Sequence, residues 1–129
     1  MLSSVSEMPS MIDTMSILFA KTGNAYPLIS PFIGVMGTFI TGSTTVSNII
    51  FGSVQFNTAE NLSLSKELIL AMQLNGASLG NAICLFNIIA AAAVAGVTQY
   101  TKILGKNIIP VLLATFITSI IGMIILQLI

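Results

Sequence analysis

FITGSTTVSNIIFG, Phe39 to Gly52, is the stretch on which the reading turns. Thr41, Gly42, Ser43, Thr44, Thr45, Ser47 and Asn48 bring hydroxyls, an amide and a glycine into one short run, with apolar sequence on both sides. None of these residues is charged. The apolar arms, 25–40 and 46–56, are about 16 and 11 residues long, which as helices reach roughly 24 and 16 Å. A hydrocarbon core is about 30 Å thick. Together the arms are too long for one comfortable span and too short for two. The spacing predicts a re-entrant hairpin over 25–56 that enters, turns near mid-membrane at the polar run, and leaves on the same side.

Composition supplies the solvent. The 129-residue chain is 55% hydrophobic and 6% charged, with no His and no Trp, where a soluble domain carries about 25% charged residues. So few charges cannot cover a soluble globule of this size, so a bilayer is the expected surroundings. Net charge is zero, which gives no reason to expect nucleic acid. No secretory signal pattern is visible at the start. Cys84 stands alone in apolar sequence and reads as a packing residue; without a second Cys or any His, neither a disulfide nor a metal site is expected.

The remaining segments fall around the hairpin. Met8 to Ala20 has apolar residues at helical spacing, with Ser10, Asp13, Thr14 and Ser16 on the other side, and reads as an amphipathic or truncated helix within 1–20. Lys21 to Asn24 reads as a loop, and so does Asn57 to Ser65. Lys66 to Val97 carries no charge after Glu67, and its middle, QLNGASLGN, places Gln73, Asn75, Ser78 and Asn81 beside Gly76 and Gly80. That predicts a broken span over 66–97. Thr98 to Asn107 reads as a loop with Lys102 and Lys106. The stretch 108–129 reads as the closing span, with Pro110 in its first turn. The two lysines favour a cytoplasmic position for loop 98–107. The fold class is therefore an all-α membrane protein: a re-entrant helical hairpin, one broken transmembrane helix and one closing transmembrane helix.

Breaks at membrane depth have a chemical consequence. An unpaired backbone group in hydrocarbon costs several kcal/mol, so irregular backbone survives only inside protein or beside a water-filled cavity. A helix starting near Thr45 or Val46 offers free N–H groups and the positive end of its dipole, and a half-helix starting near Asn81 or Ala82 does the same. Two such ends can hold an anion without a charged side chain. Unwound carbonyls around Asn75 to Ser78 would instead suit a cation. The candidate substrate-binding set is Thr41, Gly42, Ser43, Thr44, Thr45, Ser47, Asn48, Asn75, Ser78, Gly80 and Asn81. The plainer reading is that these hydroxyls bond back to their own helices and the glycines let helices approach. The alanine run Ala90 to Gly96 reads as packing, as do Thr115, Thr118 and Ser119. With no His and no paired carboxylate in an apolar setting, no enzyme chemistry and no cofactor is expected.

Two stretches also carry a resemblance. SPFIGVMGTFITGSTTVSNIIFGSVQ, Ser30 to Gln55, resembles the C-terminal hairpin of the lactate permease family, through Ser30, Pro31, Phe32, Ile33 and Gly34, then Phe39, Ile40, Thr41, Gly42, Ser43, Thr45, Ser47 and Asn48. NGASLGNAICLFNIIAAAAVAG, Asn75 to Gly96, resembles a second segment of that family through Gly80, Asn81, Ile83, Cys84 and Asn87. The resemblance implies uptake of L-lactate or a related short 2-hydroxy monocarboxylate such as glycolate, coupled to H+ or Na+, by a multi-pass protein of a bacterial cell membrane. It also implies two inverted repeats, of which this chain is the second half, and therefore a missing N-terminal part of the permease as partner. Two positions depart from the family's pattern: Thr44 stands where Asn or Asp is common, and Phe86 where the nearest subgroup has His, which removes a titratable group. A rival reading is a small accessory or relic membrane protein that transports nothing. A homo-oligomeric channel is a third, and it would need a full span over 25–56.

Overall fold

The computed structural model describes residues 10–129. Met8 and the rest of 1–9 lie outside that range. The described residues form six α-helices and a short 3-10 turn at Gly23–Ala25, with no strand among them. The helices are α1 Met11–Ala20, α2 Tyr26–Thr41, α3 Thr44–Asn61, α4 Lys66–Gly80, α5 Leu85–Val94 and α6 Tyr100–Leu128.

Helices α2 and α3 form an antiparallel hairpin. Gly42 ends α2 in the left-handed conformation, φ 73°, and its N–H bonds Thr38 O. That φ suits a glycine and strains most other residues. Ser43 follows in extended backbone and caps α3, its Oγ accepting from Val46 N. Helix α2 carries Pro at its first turn, where a missing N–H is harmless, and Pro31 inside.

Helix α4 lies across the hairpin, so close that three glycines are the only residues that fit. A Cβ on Gly76 would strike the Pro31 backbone, one on Gly34 the backbone at Gln73 and Ala77, and one on Gly80 would lie 2.6 Å from Val35 O. The GxxxG of Gly76 to Gly80 is thus a contact of backbone on backbone. One apolar core gathers Tyr26, Ile33, Ala59, Ile69 and Met72; a second gathers Val35, Ile83 and Val111.

Helices α4 and α5 form the bent pair, at 41° across a short break. Helix α6, at 29 residues, is the one helix among those described that is long and apolar enough to cross a membrane by itself. It would reach about 44 Å. Ile109, Leu113, Phe116, Ile117, Ile121 and Leu128 point outward from it.

Several boundaries differ from the sequence reading. The break in 66–97 falls at 81–84, starting at the last residue of QLNGASLGN rather than in its middle, because Gln73 to Gly80 stays helical. There are no unwound carbonyls at Asn75 to Ser78. The loop at 98–107 shrinks to 95–99, and Pro110 sits inside α6 rather than in its first turn. Helix α3 runs on to Asn61 and consumes half of the loop after the hairpin. Helix α1 does not sort by polarity as its spacing suggested: Ser16 is buried and Thr58 Oγ1 donates to Ser16 O, while Ser10, Asp13 and Thr14 are exposed together with Met11, Ile17 and Leu18. Its Ser10 and Asp13 form a capping box. The alanine run packs only in part, since Ala92 is its one buried member.

Candidate functional site

The hairpin tip and the second break meet. Asn81 Nδ2 donates to Thr44 Oγ1 at 2.6 Å, and Asn87 Nδ2 donates to Asn81 Oδ1 at 3.1 Å. Thr44 Oγ1 also reaches Ala77 O at 3.4 Å. A Cβ on Gly42 would lie 3.5 Å from both Cys84 Sγ and Phe86 Cδ2. Gly42 at the end of α2, the first residue of α3, and the first turn of α5 thus share one neighbourhood.

Thr41 locks the tip from inside. Its hydroxyl donates to Gly37 O at 2.8 Å and accepts from Ser43 N at 3.3 Å. Ser43 satisfies the Val46 N–H, and Ser47 N bonds Ser43 O. The backbone N–H groups of Thr44 and Thr45 have no helical partner, as the geometry of a helix start requires. At α5 the N-cap is Cys84, which gives no side-chain cap bond. The N–H groups of Leu85, Phe86 and Asn87 are therefore also free of intrahelical partners. Two positive helix ends lie side by side with amides and hydroxyls between them.

From the tip a polar seam continues between the helices. Helix α3 is antiparallel to α4, so Thr44 meets Ala77 and Asn81, and one turn later Asn48 meets Gln73. Gln73 Nε2 lies 3.4 Å from both Ser47 Oγ and Asn48 Oδ1. Gln55 Nε2 donates to Gln73 Oε1 at 2.8 Å and to Ser30 O at 3.0 Å. Tyr26 OH donates to Gln55 Oε1 at 2.5 Å. Tyr26, Ser47 and Gln55 are fully buried, and Gln73 is buried with them. In surroundings this apolar, each polar group needs its partner.

The eleven residues singled out in the sequence therefore separate. Thr41, Gly42, Ser43, Thr44, Gly80 and Asn81 gather at the tip, and Ser47 and Asn48 lie along the seam. Thr45 is exposed on the first turn of α3. Asn75 and Ser78 lie apart: Asn75 is exposed and accepts from Thr118 of α6, and Ser78 bonds back to Leu74 O. Because α4 is unbroken there, residues two and five positions from Gln73 point away from the seam. Tyr26, Gln55 and Asn87 are additions. Gln55 sits seven residues beyond Asn48 on the same face of α3, which was a legible signal; nothing local marked Tyr26.

A helical hairpin whose uncharged polar tip meets a break in a second apolar helix is an arrangement that secondary transporters use. The comparisons with known proteins are specific. The L-lactate permease family matches over residues 1–129, and the chain belongs to that family. It is 39% identical over 112 residues to a putative L-lactate permease of Haemophilus influenzae, covering 85% of this chain and 21% of that protein. It is 38% identical over 92 residues to a glycolate permease of Escherichia coli, covering 71% of this chain and 16% of the relative. An L-lactate permease of Streptococcus iniae is 48% identical over 65 residues, covering half of this chain and 14% of the relative. The chain thus spans about a fifth or less of the length of these curated relatives. No solved structure matches it.

Proposed function

We propose that this chain carries one wall of the substrate site of a secondary transporter for L-lactate or a related short 2-hydroxy monocarboxylate such as glycolate. The observation that carries the reading is the Asn81–Thr44 hydrogen bond, which brings two helix starts into one polar neighbourhood. A carboxylate suits that neighbourhood: free N–H groups and positive dipole ends favour an anion without desolvating a Lys or Arg. The substrate's hydroxyl suits the Ser43, Thr44, Asn81 and Asn87 side chains. The names of the relatives, L-lactate and glycolate permeases, support the same class of cargo.

In this reading α2 and α3 re-enter the membrane from one side and turn at Gly42. Helices α4 and α5 cross as one broken span, and α6 returns. The chain then serves as the second of two inverted repeats in a multi-pass cell-membrane protein. The opposite wall belongs to the further part of the permease that the longer relatives carry, since alternating access needs two bodies to move against each other. Coupling to H+ or Na+ belongs to that larger assembly.

The test is uptake of radiolabelled L-lactate in cells without permeases of their own, expressing this chain with and without the upstream region of a permease. Uptake that needs both parts, and that falls in Asn81→Ala, supports the reading. Absence of uptake in both cases, with the protein in the membrane, leaves the accessory or relic reading in its place.

A further inference from the structure

The buried seam fixes more than position; it fixes polarity. Amide oxygen and nitrogen are assigned from their partners, and here one partner decides all of them. Ser30 O, a carbonyl that can only accept, lies 3.0 Å from the Gln55 amide atom facing it. That atom must be nitrogen; oxygen there would set two acceptors against each other. The same Gln55 nitrogen faces Gln73 at 2.8 Å, so the Gln73 atom opposite it must be oxygen. Gln55 Oε1 is left to accept from Tyr26 OH. Gln73 Nε2 then points to Ser47 Oγ and to Asn48. Ser47 can accept because its own hydrogen goes to Gly34 O. Asn48 must turn its oxygen inward to meet a donor, which leaves its NH2 facing away from the seam.

That NH2 has no hydrogen-bond partner among the described residues. Asn48 is half-buried and borders a groove with Ile49, Gly52, Ser53, Phe56, Asn57 and Leu70. Two N–H bonds in fixed orientation suit an oxygen acceptor and repel a cation. We propose that Gln55 and Gln73, oriented by Ser30 O, are positioning residues that set the polarity of Asn48, so that the Asn48 side chain offers an N–H donor to an oxygen of the carried anion and no ligand to a coupling cation. This rests on the reading of the chain as a carboxylate permease wall, and it adds which way the amide points and what holds it so.

The experiment is L-lactate uptake kinetics in the full-length permease containing this chain, corrected for protein in the membrane. Asn48→Asp keeps the shape but replaces the donor with an acceptor. It is expected to raise KM for L-lactate about tenfold or more, the loss of a hydrogen bond to a charged group. Gln73→Met keeps the length of the side chain and removes the group that holds Asn48. Its KM should rise in the same direction with kcat little changed, and the double variant Asn48→Ala with Gln73→Met should match Asn48→Ala alone, because Gln73 acts through Asn48. Unchanged KM in Asn48→Asp, or additive losses in the double variant, overturns the inference while leaving the permease reading intact. If Gln73→Met fails to reach the membrane, Asn48→Asp alone decides. Absence of uptake by the unaltered permease strikes the permease reading itself, and this inference with it.

Discussion

The wedge of α2, α3 and α4 and the pair α5 and α6 solve the same problem in opposite ways. In the wedge, polar side chains face inward and meet one another across helices: Tyr26, Gln55, Gln73, Ser47 and Asn48 form one chain of bonds. Glycines let the backbones touch so that the chain can close. In α6 Thr115, Thr118 and Ser119 each have a partner on their own helix: Thr115 bonds Val111 O, Thr118 bonds Ala114 O and Ser119 bonds Thr115 O, with Thr118 also reaching Asn75 and Ser119 also reaching Leu28 O. Its outer face is apolar, and α5 leaves Phe86 and Val94 exposed. A wedge of this kind holds a site because the buried polar groups inside it, Thr38 Oγ1 excepted, have defined partners among the described residues. A pair of the second kind suits lipid or a neighbouring protein surface, where no such partner waits.

The largest break of this contrast comes from filling a glycine in the wedge. Gly76→Leu drives a side chain into the Pro31 backbone and is expected to cost about 3 kcal/mol or more, read as loss of folded protein in the membrane. Gly105→Ala in α6, where nothing lies within 4 Å of the added carbon, should be neutral or gain up to about 1 kcal/mol of helix stability. Equal losses from the two would erase the distinction.

Next in size is a pair of asparagines. Asn81→Ala removes the bond between tip and break, and uptake should fall about tenfold or more, the effect of about 1.4 kcal/mol. Asn75→Ala, on the α6 side of the same helix, should change uptake by less than about threefold. A loss from Asn75→Ala as large as that from Asn81→Ala would move the site to the other face of α4.

Thr38 sharpens the contrast on a smaller scale. It is fully buried in the wedge, and its hydroxyl is the one buried side-chain polar atom without a partner among the described residues. Thr38→Val keeps the shape and removes the unpaired group, so thermal unfolding should shift upward, by about 1 kcal/mol of stability. A loss of stability or of uptake would mean that the hydroxyl has a partner in the complete permease. The smallest effect belongs to the rim. Lys66 pairs with Glu60 at 2.6 Å, with side chains 32% and 58% exposed, and Lys66→Ala should cost less than about 1 kcal/mol. A thermal shift well beyond that would place the pair inside an interface.

Much of this was legible in the sequence, and for physical reasons. Scarce charge and long apolar runs dictated helices with greasy outer faces. The hydroxyl and amide run at Thr41 to Asn48 forced a turn, because Gly42 tolerates a positive φ and Ser43 can cap the helix that follows. The same run, with Gly80, Asn81, Ile83, Cys84 and Asn87, carried the family. Tertiary structure alone decided which polar residues act together. Asn75 and Asn81 look equivalent in QLNGASLGN, yet Asn75 lies on the unbroken helix and meets α6, while Asn81 lies just past its end and meets the tip. Tyr26 and Gln55 lie 29 residues apart and meet only because the hairpin is antiparallel. The direction of the hydrogen bonds is the part furthest from local sequence: it is set by one carbonyl, Ser30 O, brought beside Gln55 by the packing of two helices. Spacing along a chain fixes which face a residue occupies, but only contact between helices fixes what that face meets.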